Sequence, residues 1–162
     1  MTTWVNFLLY FIEGFLMLGA GFGILGIRLS LQSMGLLSCL YSLLTYGVRQ
    51  FYMIHKIPFG THTFVILAVF ILLIVVVGKQ RVLDSIIALL VTLGLLFLGE
   101  GVFLFPILNF FKIDLLTITN NPLNFLLAGF FVYIPLVITF LIGYVFKITI
   151  IDFNSFKNVD RM

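Results

Sequence analysis

Trp4 to Ile27 reads WVNFLLYFIEGFLMLGAGFGILGI, a run whose only charged side chain is Glu13. A membrane helix needs about 20 predominantly apolar residues to cross a hydrocarbon core of roughly 30 Å, and this run is long enough to do so once. It lacks the marks of a cleaved leader. No basic residue precedes Trp4, the apolar stretch outruns a signal h-region, and no A-x-A-like site follows, so the segment is expected to be retained.

Working outward, similar runs recur at Leu31 to Val48, Phe59 to Val77, Val82 to Phe105 and Pro122 to Phe146. The 162-residue chain is 62% hydrophobic and 9% charged, against about a quarter charged in a soluble domain. A water-soluble fold could not hide that much apolar surface. The expected architecture is therefore an all-α, polytopic transmembrane helix bundle of about five spans over residues 1–149, with a short cytoplasmic tail over 150–162. The polar breaks at Arg28, Arg49 to Pro58 and Lys79 to Arg81 punctuate it. Pro106 to Asn121 mixes Asn109, Lys112 and Asp114 with Phe110, Phe111, Leu115 and Leu116. That pattern predicts an interfacial helix lying in the membrane plane. Asn121 and Pro122 read as a cap and a first-turn proline for span five, and Pro135 is expected to bend that span.

Basic residues are retained on the cytoplasmic side. With the N-terminus outside, the inner loops and tail hold Arg28, Lys79, Arg81, Lys147, Lys157 and Arg161, and the outer loops hold Arg49, Lys56 and Lys112. The distribution predicts a multi-pass cell-membrane protein with its N-terminus outside and its C-terminus in the cytoplasm. The net charge of +3 is spread over segment ends, so no basic patch for nucleic acid exists and the partner implied first is the lipid bilayer.

Charges inside spans are costly and normally face other helices or a water-filled cavity. Glu13 shares a helical stripe with Asn6, Tyr10, Met17 and Ala20, and that stripe is expected to face inward. On the second span Gly35, Ser38, Ser42, Thr45 and Arg49 recur at three- and four-residue spacing and line one face with small or polar groups. Gly19 and Gly23 form a GxxxG pattern, expected with Gly35, Ser38 and Ser42 to serve helix packing, the hydroxyls bonding across an interface. Glu13, Arg49, His62 and Glu100 fall at one depth. Three readings stay open: Arg49 forms a structural ion pair with Glu13 or Glu100; the group lines a site open to the outside, where His62 changes charge near neutral pH and the carboxylates bind a cationic group; or these side chains point to solvent. In the first reading Glu13 and Arg49 depend on each other.

Enzymatic chemistry finds no support. The single cysteine, Cys39, rules out an intrachain disulfide, the two histidines form no HExxH, and neither GxSxG nor a phosphate-cradling loop with lysine occurs. No cofactor and no metal are expected. Asp84 suits the start of a helix, where a negative charge meets the positive end of the dipole.

Gly26-Ile27-Arg28-Leu29, Arg49 closing the second span, and Ile57-Pro58-Phe59-Gly60-Thr61-His62 opening the third together resemble the membrane-embedded sensor module of Gram-positive bacterial sensor histidine kinases of the GHKL type. The resemblance runs to about Phe146. It implies a sensor without its kinase domain, a separate signalling kinase as partner, and a turn at Pro58, Gly60 and His62 facing outside. No phosphoacceptor-histidine segment or ATP-binding domain follows span five, so kinase activity is not implied. The leading functional expectation is a non-enzymatic sensor-like or signal-relay module with Pro135 as flexing point. Its rivals are the substrate-binding membrane subunit of a vitamin or metal transporter, partnered by an ATPase subunit, and a structural assembly partner.

Overall fold

A computed structural model describes residues 3–57, 60–112 and 122–150. Among these residues every regular element is helical: α1 Thr3–Ile24, α2 Leu31–Ile54, α3 Thr61–Val76, α4 Val82–Leu98, a π-helical stretch π1 Gly99–Leu104, α5 Phe105–Phe111, α6 Pro122–Phe140 and a second π-helical stretch π2 Leu141–Val145. Three continuous helices, Trp4–Ile24, Val82–Phe111 and Asn124–Val145, are long and apolar enough to cross a membrane, and Thr61–Val76 is a shorter apolar helix.

α1 is the axle of the bundle. It packs against α2, α4, α6 and π2, and 61% of its apolar window is buried, against 28% and 17% for the other two long helices. Every residue from Met17 to Leu25 is buried, the pattern of a helix surrounded on all sides. Glycines make this possible, because each lets a different neighbour approach. A Cβ on Gly14 would lie 2.7 Å from the Tyr41 ring of α2, one on Gly21 2.7 Å from the Ala88 carbonyl oxygen of α4, and one on Gly23 2.9 Å from the backbone of Gly143 in π2. Gly19 faces Phe140 of α6 and Met34 of α2 in the same way.

Around the axle the other helices turn one stripe inward. α3 buries Ile66, Phe70 and Ile74 at four-residue spacing, and α4 buries Ser85, Ala88, Leu89 and Thr92. Their other faces expose residues such as Phe64, Leu72, Leu83, Leu90 and Phe97, the surface that a bilayer core solvates without cost. After π2 the chain turns back onto the α1–α2 connection: Ile150 N–H donates to the Ile24 carbonyl at 3.0 Å, and the Tyr144 hydroxyl donates to the Leu29 carbonyl at 3.0 Å. Packing thus continues to residue 150, the first residue of the expected tail; the rest of that tail lies outside the described residues.

Two boundaries differ from expectation. α2 does not stop at Val48 but runs on through Arg49 to Ile54, since no breaker intervenes and the guanidinium finds a partner on α1. The fourth helix does not stop at Phe105 either; Pro106 sits within a continuous helix to Phe111. The reason is π1. Phe105 N–H donates to the Glu100 carbonyl, five residues back, and Pro106 occupies the first turn of α5, where a missing N–H and a fixed φ are tolerated. The first six residues of the expected interfacial helix are therefore the end of this helix, and residues 113–121 lie outside the described ones.

Lysine fills the left-handed positions that glycine usually takes after a helix. Lys56, Lys79, Lys112 and Lys147 all have φ between 50° and 64°. The ammonium, next to the negative end of the helix dipole, offsets part of the cost of that backbone.

Candidate functional site

Glu13 sits where α1, α2 and α6 meet. Its Oε1 accepts from the Tyr41 hydroxyl at 2.7 Å and its Oε2 from the Tyr133 hydroxyl at 2.9 Å. Tyr133 also lies 3.5 Å from the Leu9 carbonyl, a longer contact that the single phenolic proton serves less well. Both carboxylate oxygens are thus held by hydroxyls from different helices, Tyr41 and Tyr133 themselves being buried.

Arg49 does not pair with a carboxylate. Nη1 donates to the Tyr10 hydroxyl at 2.9 Å, and the guanidinium carbon lies 4.8 Å from the centroid of the same ring. No carboxylate of the described residues comes within 4.0 Å of it, and its buried Nε has no hydrogen-bond partner among them. The expected ion pair of Arg49 with Glu13 or Glu100 is therefore replaced by a layer of tyrosines: Glu13–Tyr41 and Glu13–Tyr133 on one side, Arg49–Tyr10 on the other. Phenols supply both a donor for the carboxylate and an acceptor or ring face for the guanidinium, so Glu13 and Arg49 each find tyrosine partners without touching.

These groups wall a cavity of about 300 Å³ built from α1, α2, α3, α4, π1 and α6. Its polar lining is Tyr10, Glu13, Tyr41, Arg49, Thr63, Glu100 and Tyr133; its apolar lining includes Met17, Ile66, Leu93, Leu96, Phe97 and Phe125. Glu100 is exposed at the mouth and accepts no hydrogen bond from a described residue. It reaches this place through π1, where Gly99 presses against the Val132 carbonyl of α6 with no room for a Cβ. The wider π turn adds a residue to the helix, which rotates the side chains beyond it by about 100° relative to an uninterrupted α-helix.

The structure brings Glu13, Arg49 and Glu100 onto one cavity and leaves His62 off its wall. The His62 ring instead meets Tyr52 edge-on at 5.8 Å, and Nδ1 accepts from Gly60 N–H at 3.2 Å. Gly60 enters α3 with φ 126°, a conformation that favours glycine; Pro58 lies outside the described residues. Pro135 falls inside α6. Gly19 and Gly23 lie at close helix contacts, but a Cβ on Gly35 would meet nothing within 4 Å, so Gly35 is not at one. Ser38 and Ser42 are fully buried, yet their hydroxyls bond to the carbonyls of Met34 (2.6 Å) and Cys39 (2.8 Å) in their own helix rather than across an interface.

The three tyrosines are the residues that sequence reasoning does not single out as site residues. Tyr10 stands on the stripe of Glu13, and Tyr41 lies three residues after Ser38 and four before Thr45 on the polar face of α2, so both carry a signal. Tyr133 carries none, arriving from 120 residues away. No protein-family model, curated protein or solved structure matches the chain.

Proposed function

We propose that this chain is a five-span membrane protein, N-terminus outside, that works as a non-enzymatic ligand-responsive module: a small molecule enters the cavity and the response passes to a cytoplasmic partner through helix movement. One observation carries the reading. Three charged side chains from three helical segments, Glu13, Arg49 and Glu100, converge on a cavity of about 300 Å³, the lower end of the range for small-molecule sites. Charged groups at such a depth are expensive and mark functional sites more often than packing. In the five-span arrangement α2 and α3 are the remaining crossings. The 24 residues of α2 span about 36 Å; the 16 of α3 span about 24 Å and need their flanking residues to complete a crossing.

A ligand that prefers one helix arrangement shifts the population toward it, and only by its difference in affinity. Pro135, which removes one ladder hydrogen bond within α6, is the flexing point, and the resemblance to kinase sensor modules suggests a kinase as the receiver. The test is extraction of the tagged protein in mild detergent from its native membranes, with mass spectrometry of the proteins and small molecules that accompany it. A kinase with a bound small molecule supports the relay reading. ATPase subunits with a stoichiometric small molecule replace it by transport, and an empty cavity with no partner refutes both.

A further inference from the structure

Among the described residues the charges on the cavity wall do not balance. Glu13 and Glu100 are two carboxylates, and Arg49 is the only cationic side chain of the described residues that lines the space with them, leaving one negative charge over when both are ionised. The two carboxylates are unlike. Glu13 is saturated by Tyr41 and Tyr133 and shares the tyrosine layer with Arg49, so the guanidinium offsets this charge. Glu100 is exposed and accepts no hydrogen bond from a described residue. The wall beside it is apolar and aromatic, with Phe97, Leu93, Leu96 and Phe125.

We propose that the cavity takes an organic monocation, an alkyl- or arylalkylammonium, with its ammonium on Glu100 and its apolar body among Phe97, Leu93, Leu96 and Phe125. This rests on the ligand-binding reading above and names its chemical class. An ammonium supplies the missing positive charge, and Phe97 and Phe125, which line the same cavity, offer aromatic rings that attract a cation further. A bare metal ion does not suit the site. Magnesium and calcium require six or more oxygen ligands, both Glu13 oxygens are engaged, and no cluster of three metal-binding side chains occurs among the described residues. An anion would face two carboxylates against one guanidinium, whose Nη1 is already engaged by Tyr10.

The test uses the full-length protein in phosphatidylcholine nanodiscs with three probes of one shape: phenethylamine, phenethyl alcohol and 3-phenylpropionate. The shift of the thermal unfolding midpoint with probe concentration gives the affinity. The expected result is that the amine binds at least tenfold more tightly than the alcohol or the acid. Glu100→Gln should weaken the amine at least tenfold without changing alcohol binding, and Glu100→Asp should retain most of the affinity. Equal binding of amine and alcohol, preference for the acid, or an unchanged affinity in Glu100→Gln overturns the cation assignment while leaving a binding cavity. If no probe binds and no small molecule accompanies the native protein, the ligand-binding reading falls with it.

Discussion

Where Gly23 meets Gly143 the backbones of α1 and π2 touch; where Glu13 and Glu100 sit, α1, π1 and α6 line a cavity instead. One end of the bundle is closed by removing side chains, the other held open by large polar ones. The difference is clearest on α1: the run from Met17 onward carries Gly19, Gly21 and Gly23, whereas the first half has Gly14 as its one glycine and carries Tyr10 and Glu13. Without water to drive association, membrane helices associate through close van der Waals packing and interhelical hydrogen bonds; backbone contact dominates where Gly23 meets Gly143, and the side-chain hydrogen bonds between helices gather around Glu13.

The largest expected effect strikes the tight end. Gly23→Leu would drive a side chain into Gly143 and Tyr144 backbone, which no rotamer change relieves. Loss of at least about 3 kcal/mol, the upper end of overpacking costs, should appear as aggregation or a sharply lowered unfolding midpoint; near-normal stability would mean that the ends are not differently packed. At the hollow end, Glu13→Gln should cost about 1–3 kcal/mol by disturbing two phenolic hydrogen bonds. A double-mutant cycle should couple Glu13 to Tyr41 and to Tyr133, each by roughly 0.6–2 kcal/mol. Exchanging the charges of Glu13 and Arg49 should give no rescue, because tyrosines stand between them; full rescue would restore the direct ion pair.

Smaller effects sharpen the contrast at the helix ends. Lys79→Gly removes the left-handed backbone penalty at φ 52° and should raise stability by up to about 1 kcal/mol, with a lowered midpoint contradicting the cap. Smallest of all, Gly35→Ala should stay within about 0.5 kcal/mol of the parent, since open space surrounds it. If it destabilises as Gly23→Leu does, the small-residue face of α2 packs more closely than described.

The helices are legible because long apolar runs allow little else, and the inward stripe of Glu13 is legible from spacing: Tyr10, Met17 and Ala20 are all buried. Pro106 misleads because a π turn, invisible in composition, places it at a new helix start. Arg49 looks like a boundary because its charge resembles a loop signal; its partner, Tyr10, lies 39 residues away. The shared depth of Glu13, Arg49 and Glu100 comes from their positions along the runs. That Glu13 and Arg49 bond to tyrosines rather than to each other, and that His62 lies off the cavity wall, depends on distances between helices, which spacing along one helix does not encode.

The most direct test of the account is whether the cavity holds a ligand. Ala128 lies on its α6 wall, so Ala128→Phe should fill the space while keeping the polar layer. Native mass spectrometry of the parent and this variant, extracted side by side from source membranes, should show a small-molecule adduct on the parent that the variant lacks, with unfolding midpoints no lower in the variant. The same adduct on both, or none on either, would contradict the account.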